Sequence, residues 1–276
     1  MGRAVATYSR GRTGDAEVVA GVRLSHPDRV LFPAAGATKL DLARYYETIV
    51  DWVLPHVADR PLTLVRCPKG VAGAAAKRGT DCFYMKHSKV WAPPSVRRVQ
   101  IREKTKTGDG ERIGWREVIG AARLVRSLFG VLDLASFVKT TGGRGLHVVV
   151  PIVPHADWSE CLAFARAFAL ALVRTRPALF TERFARAGRA DKILIDYLRN
   201  NRTNTSIAAF STRARPDAPV SVPIAWAELS PSRTPDRFTL ATVPSRLARL
   251  RTDPWKAYWS TKQRLPRHGI RALEGM

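Results

Sequence analysis

Acidic side chains are scarce in this sequence. Asp and Glu total 23 against 46 Lys and Arg, a formal net charge of +23, and the pI lies near 11.0. An excess of that size argues for a polyanionic partner, nucleic acid first. Arginine outnumbers lysine, which suits bidentate phosphate contacts, although a GC-rich genome produces the same bias. The basic residues run along the whole chain, which describes a broad surface and not a tail.

Cysteine is also rare. Cys67, Cys82 and Cys161 have neither paired metal-ligand spacing nor the density of a disulfide framework, and are expected to be reduced thiols. Long apolar runs are missing. No segment approaches the roughly 18 consecutive apolar residues of a membrane span. The opening "MGRAVATYSRGRTGDAEVVAGVRL" lacks the apolar core of a secretory signal, so the chain reads as cytoplasmic, with no membrane partner. There is no internal repeat or low-complexity block, and no G-x-x-x-x-G-K-[ST] phosphate loop. What is present is 45% hydrophobic content over 276 residues, enough to bury a core in one large domain or two small lobes.

Periodicity places the elements. "TKLDLARYYETIVDWVL" predicts a helix capped by Thr38, with Leu42, Tyr45, Tyr46, Ile49, Trp52 and Val53 on one face. "RPLTLVRCP" predicts a strand ended by Pro68. "GWREVIGAARLVRSLFG" is a second amphipathic helix, followed by strand, turn and strand. "DWSECLAFARAFALALVRTRPALF" is a third helix, opened by Asp157 with Glu160 three residues later. "DKILIDYL" predicts a short strand, and "VPSRLARLRTDPWKAYWSTKQRL" a basic helical end. Strands and helices mix without regular βαβ alternation, which predicts an α+β fold.

The turn in "FVKTTGGRGLHVVVP" carries the clearest chemistry. Gly142, Gly143 and Gly145 let backbone N–H groups face an anion with no Cβ in the way. Arg144 adds a cation, Thr140 and Thr141 add hydroxyls, and His147 begins the next strand at the mouth of the turn. These residues fit a triphosphate cradle. They also fit a plain hairpin with a satisfied core histidine, and spacing does not separate the two. In "KILIDYLRNNRTNTSIAAFSTRARP", Asp196 ends an apolar run and is followed by Arg199, Arg202, Arg213 and Arg215. A carboxylate there suits Mg²⁺ or Mn²⁺ with arginines neutralising phosphates. It equally suits an ion pair with one of those arginines.

Six motifs in order, "HPDRVLFPAAGATKLDLARYY", "RPLTLVRCPKG", "CFYMKH", "SFVKTTGGRGLHVVVP", "ILIDYLRNNRTNTSIAAFSTRARP" and "DPWKAYW", resemble the polymerase domain of bacterial ligase D, of the archaeo-eukaryotic primase superfamily. The resemblance implies a two-lobed α+β primase-polymerase domain with mixed, largely antiparallel sheets flanked by helices. It covers residues 21–265, leaving 1–20 as a flexible N-terminus and 266–276 as a C-terminal tail, and describes a free-standing polymerase-domain protein.

Members of that family extend or fill DNA ends in non-homologous end joining. The resemblance therefore implies DNA ends with a 5′-phosphate and NTP or dNTP as substrates. It also implies Mn²⁺ or Mg²⁺ as cofactor, Ku and a separate DNA ligase as partners, and a nucleoid-associated place in a bacterial cytoplasm. The family's turn reads approximately S-G-x-K-G-L-H. Thr141 stands for its serine, Arg144 for its lysine, and His147 matches directly. Asp196 matches its late metal-binding aspartate and Arg213 a basic residue that reaches the nucleotide. Lys39 matches a residue that reads the 5′-phosphate, and Arg29 stands where a lysine is common. Phe83 lies in an aromatic element that packs on the DNA end, with Lys86 beside it. From spacing alone, Phe83 as a core residue fits equally.

The sequence departs from the family in one place. Where members carry a strand with an acidic D-x-D pair before the second helix, this chain has "TGDGERIG". Two-metal phosphoryl transfer needs carboxylates for both ions, and Asp196 alone cannot hold two. Asp109 and Glu111 are the local acidic residues, in a stretch of turn composition. The pattern reads as an internal deletion that keeps the phosphate cradle and the DNA face and removes most of the catalysis. The missing strand belongs centrally in the sheet, so the sheet must close differently or be of marginal stability.

Overall fold

The structure is a computed structural model that describes residues 17–71, 82–85, 113–185 and 191–275. It opens with an antiparallel pair, β1 (Val18–Val19) and β2 (Val22–Arg23). This hairpin begins inside the stretch read as a flexible N-terminus, and its Ala20 N–H donates to Glu47 in the first helix at 3.0 Å. A second pair follows, β3 (Val30–Phe32) and β4 (Ala37–Thr38), and runs directly into α1 (Lys39–Thr48). Thr38 Oγ1 accepts from Asp41 N at 3.1 Å while the Asp41 carboxylate accepts from Thr38 N at 2.8 Å. Two otherwise unpaired donors at the helix start are thereby satisfied.

The single helix expected over 38–54 is two, α1 and α2 (Val50–Val57). Ile49 leaves helical dihedrals, with φ −107° and ψ 16°, and is fully buried. Tyr45, Ile49, Trp52 and Val53 still serve one core across the break, which is why spacing alone reads continuity. β5 (Leu64–Arg66) and β6 (Phe83–Met85) pair antiparallel with Arg66 opposite Phe83. That register puts the next residues, Cys67 and Cys82, face to face, and they form a disulfide with Cα atoms 4.1 Å apart. The expectation of reduced thiols is corrected for this pair: nothing in a 15-residue separation announces a bond that strand pairing creates. Cys161 is free.

α3 (Trp115–Val131) leads into β7 (Phe137–Thr140) and β8 (Leu146–Val149), an antiparallel hairpin. α4 (Trp158–Thr175) has the expected Asp157–Glu160 capping box. β9 (Phe180–Thr181) pairs parallel with β10 (Ile193–Leu194), a shorter strand than its sequence suggested. β11 (Pro223–Ile224) pairs with β7 on the side away from β8, so the sheet order is β11-β7-β8. Among the described residues no strand pairs with the outer edge of β8. Three short helices close the chain, α5 (Val243–Arg249), α6 (Lys256–Ser260) and α7 (Gly269–Glu274).

Two hydrophobic clusters hold these elements. One gathers Phe32, Tyr45, Ile49, Ile119, Val138, Phe210, Val220 and Val243. The other gathers Phe164, Phe168, Leu172, Phe180, Leu134 and Leu273. α3 joins them, with Ile119 and Ala122 in the first and Ala121 in the second. Leu273 in α7 is fully buried, so the stretch 266–276 read as a tail carries part of the core. Trp255, 3% exposed, donates its indole N–H to Val138 O at 3.0 Å, and so braces the strand that bears the glycine turn. The architecture is the α+β arrangement expected, with antiparallel pairs predominating. No helix among the described residues is long and apolar enough to cross a membrane.

Candidate functional site

The β7–β8 hairpin turns through residues 141–145, closed by Thr141 Oγ1 donating to Gly145 O at 3.0 Å. Gly142 sits at φ +64°, and a Cβ there would lie 2.7 Å from Arg213 Cγ and 3.2 Å from Pro219 O. Only glycine allows both that backbone conformation and that approach. A Cβ on Gly143 would meet the Arg215 guanidinium at 3.4 Å. The loop carrying these arginines folds back on itself through Arg213 N donating to Pro219 O at 2.8 Å and a bridge between Thr212 and Val220. Seventy-odd residues of sequence separate the two glycines from the two arginines, and the sheet brings them together.

His147 stands opposite Lys139 in the β7–β8 register. Its imidazole is pushed down to about 3 by burial first, then by Lys139, Arg199 and Arg213. It is therefore neutral near pH 7 and can offer one N–H to an anion. Lys139 is 5% exposed, and burial followed by Arg213 lowers its amine to about 7. Its Nζ donates to Ile207 O at 2.8 Å and Ser221 Oγ at 2.7 Å. Sequence reading passed over this lysine. The one signal available was a charged residue inside an otherwise apolar strand.

Asp196 follows β10 at the entry to a single 3₁₀ turn, Tyr197–Asn200. Its Oδ2 accepts from Arg199 Nε at 2.7 Å. The ion pair foreseen as the plain alternative is thus present, yet it uses only one oxygen. Oδ1 is buried and accepts no hydrogen bond within the protein, which leaves it open to a water or a cation. Arg199 also bonds Thr205 O, and its charge reaches His147. Arg213 thus lies against Gly142 of the turn, Arg199, paired with Asp196, acts on His147 at its mouth, and Arg144 is exposed on the turn itself. Among the described residues no group of three or more His, Cys, Asp or Glu side chains could share a metal ion. Asp109 and Glu111 lie outside the described residues.

A second basic face is built on β3 and β4. Val30 pairs with Thr38, and Lys39 N donates to Arg29 O at 2.8 Å, so Arg29 and Lys39 are neighbours. Lys39 Nζ donates to Ser25 O at 2.7 Å and Ser25 Oγ at 3.1 Å, and the Arg29 guanidinium donates to Pro68 O. Val71 N donates to Leu31 O at 2.6 Å, which ties the segment after Cys67 to β3. Phe83 on β6 is 50% exposed and Tyr84 58%, so Phe83 is a surface aromatic and the core alternative falls away. Lys86 lies outside the described residues.

Comparison with known proteins places the chain. The family model described as LigD, primase-polymerase domain, matches residues 38–113 and 108–255. The multifunctional non-homologous end joining protein LigD of Pseudomonas aeruginosa is 31% identical over 290 residues, covering 89% of this chain and 34% of that protein. The protein of the same description from Mycolicibacterium smegmatis is 30% identical, covering 76% of this chain and 32% of that protein. This chain spans about a third of the length of these relatives. The solved polymerase domain from Mycobacterium tuberculosis ligase D, in complex with DNA, superposes with a TM-score of 0.73 at 26% identity, covering 83% of this chain and 94% of that one. The two family matches meet at residues 108–113, within "TGDGERIG". The 290 aligned residues of the Pseudomonas relative exceed the 276 of this chain, so that relative carries residues with no counterpart here.

Proposed function

The chain belongs to the LigD primase-polymerase family, and on that premise we propose that it processes DNA ends in non-homologous end joining as a nucleotidyltransferase. What supports the reading is Arg213 against Gly142 and the charge of Arg199, the partner of Asp196, acting on His147 beside the glycine turn.

The turn binds the triphosphate of an NTP or dNTP. Arg144, Arg213 and the neutral His147 N–H donate to phosphate oxygens, and Thr141 joins them when its hydroxyl turns away from Gly145 O, supplying charge and direction without a Walker loop. The 3′-hydroxyl of a primer attacks the α-phosphorus and gives up its proton to solvent, the α-phosphorus–oxygen bond to the pyrophosphate breaks, and pyrophosphate leaves with its charge neutralised by the arginines. Asp196 Oδ1 fits a divalent ion. Mn²⁺ or Mg²⁺ bound there supplies Lewis-acid polarisation of a phosphoryl oxygen. A second ion would require further carboxylates, and Asp196 alone cannot hold two. Arg29 and Lys39 hold the 5′-phosphate of the downstream strand, and Phe83, with Lys86, packs on the DNA end. Ku and a DNA ligase are the partners this role requires.

The junction of the two family matches favours a second reading, in which the chain binds DNA ends and triphosphate and does not extend. Binding to a gapped duplex with and without a 5′-phosphate, measured against salt, tests what both readings share. Tighter binding with the 5′-phosphate, reduced in Lys39→Ala and Arg29→Ala, supports them. Equal affinity for both duplexes contradicts them.

A further inference from the structure

The loop bearing Arg213 and Arg215 is held at both ends by one buried amine. Lys139 Nζ donates to Ile207 O at 2.8 Å and to Ser221 Oγ at 2.7 Å. Ser221 Oγ passes the connection on to Thr140 O at 2.7 Å. Between Ile207 and Ser221 the chain runs out and back. Phe210 N donates to Ser221 O at 2.6 Å and Ser221 N to Ser211 O at 3.1 Å, while Arg213 N reaches Pro219 O. At the far end of this excursion Arg213 and Arg215 press against Gly142 and Gly143.

The groups whose charge reaches Lys139 are of one sign or titrate to it. Arg213 approaches from the loop, His147 from β8 and His56 from α2. Among the described residues no carboxylate acts on the amine, and its two acceptors are neutral. A buried ammonium without a counter-ion is costly. Burial and Arg213 accordingly lower its pKa to about 7. Negative charge brought to the turn repays that cost, because it favours the protonated amine.

We propose that Lys139 is a positioning residue of the triphosphate site: its ammonium clamps Ile207 to Ser221, which sets Arg213 and Arg215 against the glycine turn, and anion binding at the turn holds that ammonium protonated. This rests on the turn being a triphosphate site. Binding therefore takes up a proton over the range in which the free protein has begun to lose it.

The test is calorimetric titration of the full chain with inorganic tripolyphosphate from about pH 6 to about pH 9, in two buffers of different ionisation enthalpy. The wild type should take up protons on binding above about pH 7, beyond the ligand's own titration, and weaken as pH rises. Lys139→Met should bind about tenfold more weakly at the acid end and lose the extra uptake, since a hydrogen-bonded charge is removed. Lys139→Arg should recover affinity without the pH step, because guanidinium does not titrate there. Lys139→Met that binds like wild type with the same proton uptake overturns the inference and leaves the triphosphate reading standing. Wild type that does not bind tripolyphosphate overturns both. If Lys139→Met does not fold, Ser221→Ala decides. It removes one acceptor and keeps the charge, so several-fold weaker binding with proton uptake retained supports the clamp, and unchanged affinity refutes it.

Discussion

Arg199 Nε donates to one oxygen of Asp196 at 2.7 Å, and the other oxygen is buried with no hydrogen bond. An acceptor left in that state costs about 1–3 kcal/mol, which a water or a bound cation offsets. Asp196→Asn keeps the shape and removes the charge. It should leave the thermal midpoint near wild type and abolish Mn²⁺-dependent nucleotide incorporation, a loss of about a hundredfold or more for several kcal/mol of charge stabilisation. Incorporation assays beside a melt check it.

Gly142→Ala puts a Cβ 2.7 Å from Arg213 Cγ at a backbone φ of +64°. The left-handed conformation alone costs roughly 1–2 kcal/mol for alanine, and Arg213 must move. Triphosphate affinity should fall by about tenfold or more while binding to a DNA end holds, as parallel titrations of the two ligands will show.

The Cys67–Cys82 bond closes a loop of 15 residues beside the hairpin that exposes Phe83. A loop of that length is worth about 3 kcal/mol in the chain-entropy account. Dithiothreitol, or Cys67→Ser with Cys82→Ser, should lower the unfolding free energy from chemical denaturation by that order and weaken DNA-end binding more than triphosphate binding.

His56 is lowered to about 4 by burial first, then by Arg60 and Lys139, and His147 to about 3. Both folded values lie below the unfolded one, so the unfolded chain binds more protons and stability falls as pH drops from about 6.5 toward about 4. His56→Phe should flatten part of that decline. Denaturation curves across this range measure it.

Phe83→Ala removes a half-exposed aromatic from β6. If bases stack on it, end binding weakens by about 1–3 kcal/mol with little change in salt dependence. Lys39→Ala should instead reduce the salt slope by about one contact.

The elements legible in the sequence were those whose signals are local. Thr38 and Asp157 cap helices through side chains three residues away, and α3 and α4 show their apolar faces in spacing. The glycine turn and its histidine were legible for the same reason. What escaped depends on contacts distant in sequence. Cys67 meets Cys82 only through strand register, α7 earns its burial only by docking on α4, and Lys139 gains meaning from Ile207 and Ser221, which lie 68 and 82 residues on. The break at Ile49 was hidden because the apolar period continues through it.

The most direct test of the account is Mn²⁺-dependent incorporation of labelled nucleotide into a gapped duplex bearing a 5′-phosphate, with binding to the same duplex measured alongside. Template-directed incorporation by the wild type is expected, lost in Asp196→Asn with DNA-end binding retained. End binding strengthened by the 5′-phosphate but no incorporation by the wild type would contradict nucleotidyl transfer, and would leave a protein that recognises broken ends without extending them.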